Sequence, residues 1–185
     1  MRVIAGQFKG RRLKAPSWEG LRPTSDKLRE TLFNILSSRV AGAHVVDGFA
    51  GTGAIGIEAL SRGAAHVLFI ERDRRAAELI ASNLALCGVK QGYTIDSGDV
   101  ASALRRAPRG TERDLVLLDP PYDIDPDTLT RALEAAAEVL APGGLVVLER
   151  ASRRAPHAPS GLSRVRDVAS GDSTLTFFSR GSRQE

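Results

Sequence analysis

The chain is poor in the residues that build disulfides and metal sites. A single cysteine, Cys87, excludes an internal disulfide, and its helical surroundings read as the setting of a small buried hydrophobe rather than of a reactive thiol. Three histidines, His44, His66 and His157, are scattered without ligand spacing and give no metal site. There is no run of about 18 apolar residues and no charged-then-apolar start, so neither a membrane span nor a signal peptide is expected, and a cytoplasmic location is. Internal repeats and long disordered linkers are also missing.

What is present fits one globular domain with a small appendage. The 185 residues are 42% hydrophobic and 26% charged, enough to bury a core. A net charge of +4 hints at a polyanionic partner, and its distribution says more than its size. Residues 1–30 hold Arg2, Lys9, Arg11, Arg12, Lys14, Arg22, Lys27 and Arg29 against Glu19, Asp26 and Glu30. Charge runs are commonly just solvated faces. Here the asymmetry lies ahead of a candidate base pocket, which favours nucleic acid.

Along the chain, residues 2–14 alternate around Gly6 and Gly10 and predict a short basic β-hairpin. After a loop from Pro16 to Gly20, Thr24 or Ser25 can cap a helix whose Leu28, Leu32, Ile35 and Leu36 share a face. Residues 1–40 thus form a basic extension, and 41–185 the main domain. From Val45 the pattern alternates. Strands are predicted at Val45–Asp47, Val67–Glu71, Tyr93–Asp96, 115–119 and Leu145–Glu149. Helices are predicted from after Gly56 to about Ser61, over Arg74–Leu86, over 100–106 and over about 127–140, the last stopped by Pro142-Gly143-Gly144. Strands separated by such helices require a parallel sheet, so the fold class is α/β. After a polar loop over 151–161, Leu162–Val168 and Ser173–Phe178 flank a turn and predict a hairpin that adds an antiparallel strand at the sheet edge.

Two motifs carry the chemistry. The apolar run 115–118 stops at Asp119-Pro120-Pro121-Tyr122, at the carboxyl edge where open α/β sheets bind ligands. The Asp119 carboxylate and the Pro120 carbonyl make a pair of acceptors for the two hydrogens of a planar amino group, and Tyr122 offers a face on which a base can stack. A proline-stiffened turn with a buried Tyr is the plainer alternative. Gly51, Gly53 and Gly56 fit G-x-G-x-x-G between a strand and a helix, with Glu71 twenty residues past Gly51, as in a dinucleotide site. Three residues, Gly48, Phe49 and Ala50, separate Asp47 from the first of these glycines. That wider turn, Asp99 beyond the third strand, and D-P-P-Y on the fourth argue against NAD. Glycines serving only turns and packing are the other alternative.

The run Asp47-Gly48-Phe49-Ala50-Gly51-Thr52-Gly53 resembles motif I of S-adenosylmethionine (SAM) dependent methyltransferases, and D-P-P-Y resembles motif IV of those acting on exocyclic amines of nucleobases. More narrowly, the chain resembles the RsmD family, which methylates the exocyclic N2 of a guanine in bacterial 16S ribosomal RNA. The resemblance also covers Arg2-Val3-Ile4-Ala5-Gly6, Gly10-Arg11-Arg12-Leu13, Arg22-Pro23-Thr24 with Arg29-Glu30-Thr31-Leu32-Phe33-Asn34, Glu58–Ala64 and Gly171-Asp172-Ser173-Thr174. Gly48 departs from the larger apolar residue usual there, and 151–168 carries no family signature.

The resemblance implies a Rossmann-like class I methyltransferase sheet, mostly parallel, with an antiparallel C-terminal hairpin strand and the basic N-terminal extension. It implies that Asp47, Gly48, Phe49, Ala50, Gly51, Thr52 and Gly53 hold the methionine part of SAM, Glu71 with Arg72 the ribose, and Asp99 with Val100 the adenine. Asp119, Pro120, Pro121 and Tyr122 are the implied catalytic residues, with Asp119 also beside the cofactor. Arg2, Lys9, Arg11, Arg12, Arg22, Thr24, Lys27 and Arg29 are the implied RNA contacts. The expected partner is 16S rRNA in an assembled or partly assembled small subunit, the expected by-product S-adenosylhomocysteine, and the expected state a monomer. Methylation of adenine or cytosine in DNA, modification of a protein glutamine, and a non-catalytic RNA-binding module are the rival readings.

Overall fold

A computed structural model of the chain describes residues 1–18, 25–107, 110–152 and 159–181. Its helices are α1 (Asp26–Val40), α2 (Ala54–Ser61), α3 (Arg74–Leu86), α4 (Val100–Arg106) and α5 (Pro126–Val139). Its strands are β1 (His44–Gly48), β2 (His66–Ile70), β3 (Tyr93–Asp96), β4 (Arg113–Leu118), β5 (Leu140–Ala151), β6 (Leu162–Ser170) and β7 (Ser173–Arg180). Four helices begin where a short polar side chain meets the orphan amides of the first turn. Ser25 accepts from Leu28 N–H, Asp73 from Arg75 N–H, Asp99 from Ser102 N–H and Asp125 from Thr128 N–H. Of the two caps the sequence offered for α1, Ser25 serves; Thr24, like Arg22, lies outside the described residues. Among those residues no helix is long and apolar enough to cross a membrane.

The seven strands form one sheet in the order β3-β2-β1-β4-β5-β7-β6. β1 to β5 run parallel, while β7 pairs antiparallel with both β5 and β6. The C-terminal hairpin therefore lays β7 beside the parallel block and leaves β6 as the edge. Period-two alternation then feeds two cores, one on each face. Val45, Val67, Phe69, Leu115, Leu117 and Val147 face the N-terminal arm (residues 1–14), α1, α2 and α3; Val46, Leu68, Ile70, Val116, Leu118, Val146 and Leu148 face α4 and α5. Each such side chain is worth about 1.5–3 kcal/mol when fully buried. The helical layers on both sides explain why these strands read as unbroken apolar runs.

The structure corrects the expected boundary of β5. Pro142-Gly143-Gly144 is a breaker pattern, yet the strand begins at Leu140. Leu140 already pairs with Arg113, and the register then jumps to Leu115 with Leu145, so the breaker residues form a bulge inside the strand.

The hairpin expected over residues 2–14 is present in short form: an antiparallel bridge joins Arg2 and Arg12, Val3 N–H bonds to the Arg11 carbonyl and Leu13 N–H to the Met1 carbonyl. Its hold on the domain comes from α2 and α3. Glu58 accepts the backbone N–H groups of Ile4 (2.7 Å) and Ala5 (3.0 Å), and Ser61 accepts those of Gln7 and Phe8. Asn83 exchanges hydrogen bonds with Lys14 N–H and C=O. Gly6, at φ 81°, lies so close to α2 that a Cβ there would meet the Ser61 carbonyl oxygen at 1.9 Å. Val3 and Leu13 belong to the same core as α1 and the sheet.

Arg29 is a second correction, because an RNA contact must reach solvent. Its side chain is 0% exposed. One guanidinium nitrogen donates to the Arg2 carbonyl (2.8 Å) and to Asp26 (2.6 Å), and another lies 3.8 Å from Glu58. The residue ties α1 to the arm from inside.

Candidate active site

Strand order reverses between β1 and β4, the place where an open α/β sheet leaves a crevice at its carboxyl edge. A cleft of about 1090 Å³ opens there. It is lined by Asp47, Phe49, Ala50, Gly51 and Thr52 from the turn after β1, by Glu71 and Arg72 after β2, by Asp99 and Val100 at the start of α4, and by Asp119, Pro120, Pro121 and Tyr122 after β4. Gly48 and Gly53 are not among its lining residues. Among the described residues no group of His, Cys, Asp and Glu is placed to hold a metal ion.

The turn after β1 is shaped by backbone conformation. Phe49, Gly51 and Gly53 all have positive φ, at 62°, 55° and 75°. For Phe49 this is an uncommon state costing about 1–3 kcal/mol, and such strain collects at ligand sites. Gly53 leads into α2, and Gly56 lets that helix settle on β2, since a Cβ there would meet the Phe69 ring at 2.2 Å. Gly48 has a packing reason as well: a Cβ would lie 2.6 Å from the Leu118 side chain, so Leu118 and Val100 fill the space a larger residue would take.

The acids are fixed by this frame. Asp47 is 1% exposed and accepts from Gly56 N–H at 2.8 Å. Burial raises its pKa well above the usual carboxylate range; the Gly56 amide opposes that, and the Asp119 and Glu71 charges add to it. Glu71 accepts Gly51 N–H on one oxygen and Asp73 N–H on the other, both at 2.9 Å. Asp99 is held below the usual range, first by its bond with the Ser102 side chain and then by the Ser102 amide. Asp119 follows β4 directly, its N–H bonded to the Gly48 carbonyl at 3.3 Å.

The sequence profile of the family described as conserved hypothetical protein 95, the RsmD family, matches residues 1–179. The chain belongs to the RsmD family. Ribosomal RNA small subunit methyltransferase D of Escherichia coli is 42% identical over 122 residues, 66% of this chain, and the match spans only 60% of that relative's length. The Haemophilus influenzae protein of the same name is 33% identical over 173 residues, covering 92% of this chain and 89% of the relative. The solved structure of yhhF from Escherichia coli superposes with a TM-score of 0.83 at 31% identity, over 99% of both chains. The fold is thus the Rossmann-like methyltransferase fold that the motifs imply, mostly parallel with one antiparallel hairpin.

The RsmD-like cleft also contains residues to which the sequence reading gave no role. Tyr122 is 39% exposed, and its hydroxyl meets the Ser173 hydroxyl at 2.9 Å. Ser173 in turn donates to Glu149 at 2.9 Å, and both line the cleft. One signal for Glu149 was present: like Asp119, it is an acid that closes a run of apolar residues in the sequence. Trp18, Ser25 and Leu28 line the cleft from the N-terminal segment. Of the implied RNA contacts, Arg2, Lys9, Arg11, Arg12 and Lys27 are exposed, outside the cleft lining.

Proposed function

We propose that this protein transfers a methyl group from S-adenosylmethionine to the exocyclic N2 of a guanine in 16S ribosomal RNA. The supporting observation is that one cleft, at the reversal of strand order, joins two sets of acceptors. Asp47, Glu71 and Asp99 come from β1 and from just beyond β2 and β3; Asp119, Pro120 and Tyr122 come from the end of β4.

The first set suits the cofactor by its chemistry. Each Glu71 oxygen accepts one backbone N–H and keeps a lone pair for a ribose hydroxyl. Asp99, held ionised, is an acceptor for an adenine amino group, with buried Val100 against the ring. Asp47 gives a buried negative partner to the cationic amino group of the methionine end, and the positive-φ turn is a source of backbone N–H donors for its carboxylate. When bound, S-adenosylmethionine supplies a methyl group on a positively charged sulfonium.

The second set acts on the base. The lone pair of guanine N2 is spread into the ring, which makes the amine a poor nucleophile. Asp119 and the Pro120 carbonyl accept its two hydrogens, draw the nitrogen toward tetrahedral geometry, and stabilise positive charge as it develops there. Tyr122, anchored through Ser173, presents its ring as the platform for a base taken out of its stack. Asp119 then stands ready to accept the departing proton. The exposed cations Arg2, Lys9, Arg11, Arg12 and Lys27 give the RNA a sequence-independent hold. The substrate is the assembled or partly assembled small subunit, and the enzyme works as a monomer.

Asp119→Ala tests the assignment directly. Methyl transfer to small subunits is expected to fall by at least about 10²-fold, the scale of removing one transition-state hydrogen-bond partner. SAM affinity by calorimetry stays within about threefold of wild type. Parallel loss of both would remove Asp119 from its role.

A further inference from the structure

The D-P-P-Y set recognises an amino group on a ring but does not say which ring. We propose that Glu149 supplies that choice: its carboxylate accepts the N1–H of guanine, beside the amine held by Asp119, and so selects guanine over adenine and cytosine. The inference rests on the methyltransferase reading above.

Three observations place Glu149 for this task. Leu118 of β4 pairs with Leu148 of the neighbouring parallel strand β5, and Asp119 and Glu149 are the residues that directly follow this pair. Both line the same cleft. Finally, Ser173 bonds at once to Glu149 and to the Tyr122 hydroxyl, each at 2.9 Å, so the same side chain fixes both the carboxylate and the stacking ring. At 8% exposure, Glu149 is shielded from the water that would blunt a hydrogen bond to substrate.

The base edges do the rest. Guanine carries N1–H next to its amino group, two neighbouring donors matched by two neighbouring carboxylates. Adenine and cytosine carry a ring nitrogen with a lone pair in the corresponding place. With their amino group held by Asp119 and Pro120, that lone pair would face the Glu149 oxygen, acceptor against acceptor. A site built to accept a substrate N–H rejects analogues lacking it by up to about 10⁴–10⁵-fold.

The test uses small subunits whose target guanine, mapped first with the wild-type enzyme, is replaced by 2,6-diaminopurine. This base keeps the 2-amino group but presents a lone pair at N1. Wild type is expected to prefer guanine by about 10²-fold or more in kcat/KM. Glu149→Gln keeps the side-chain shape and can turn an N–H toward N1, so it is expected to lose about 10²-fold on guanine and to narrow or invert the preference. Ser173→Ala should narrow it less. Calorimetric SAM affinity equal to wild type reports an intact fold in each variant. The inference is overturned if Glu149→Gln keeps the wild-type guanine-to-diaminopurine ratio, whether both rates persist or both fall together. If wild type leaves guanine subunits unmethylated, the functional reading fails and this inference goes with it.

Discussion

Replacing Glu58 by Ala would cut the arm from the domain at its most buried point. The Glu58 carboxylate is 0% exposed and accepts Ile4 N–H at 2.7 Å, Ala5 N–H at 3.0 Å and the Arg62 guanidinium at 2.7 Å. Arg29, also 0% exposed, lies 3.8 Å away. Removing one member of a buried pair leaves the other uncompensated, at about 3–5 kcal/mol. Asp26 still bonds to Arg29 at 2.6 Å, which places the expected loss near the lower end, about 3 kcal/mol. The orphaned amides of Ile4 and Ala5 are only part-buried, so water recovers most of their cost. In a domain of this size about 2–4 °C follows each kcal/mol, giving a fall in Tm of about 6–12 °C. Thermal melting followed by circular dichroism measures this, and hydrogen exchange at Ile4 and Ala5 should accelerate beyond the global change. A shift under about 2 °C, or unaltered exchange at those amides, would refute the view that Glu58 holds the arm.

Gly56→Ala should cost about 1–3 kcal/mol by overpacking against Phe69, and should weaken SAM binding because the Gly56 amide orients Asp47; denaturant melts and calorimetry read both. Asp47 retains its proton to an unusually high pH in the empty protein, and a cationic ligand favours its ionised form. SAM binding should therefore release protons, with affinity rising with pH until Asp47 ionises unaided, then levelling. Calorimetry in buffers of different ionisation enthalpy detects the release, and pH-independent affinity would contradict it. Reversing Arg11 and Arg12 to Glu should weaken RNA binding and flatten its salt dependence by about one to two units of slope, with SAM affinity unchanged; filter binding across a salt series measures this.

Where local chemistry decides structure, the sequence was a sufficient guide. α3 at Arg74–Leu86, β3 at Tyr93–Asp96 and α4 at Val100–Arg106 have the predicted bounds, because Asp73 and Asp99 cap the two helices and Gly88, at φ 69°, follows the end of α3. The cleft was legible because its acids sit at strand ends, and parallel strands bring such ends together. Tertiary packing decided the rest. Arg29 carries a charge that reads as surface, and only the convergence of α1, α2 and the arm buries it. Pro142-Gly143-Gly144 reads as a stop, yet the bulge between β4 and β5 accommodates it. Glu149 and Ser173 are 24 residues apart and meet only through the antiparallel pairing of β5 with β7, which no local pattern reveals.

The most direct test is methyl transfer from labelled SAM to small ribosomal subunits lacking the modification, naked 16S rRNA, duplex DNA and protein extract, followed by nucleoside analysis. The account predicts label as N2-methylguanosine in the subunit or its RNA. Label in DNA, or in protein, would contradict the proposed substrate while leaving the fold and the cleft in place. No label anywhere, with SAM still bound, would contradict the proposed reaction itself.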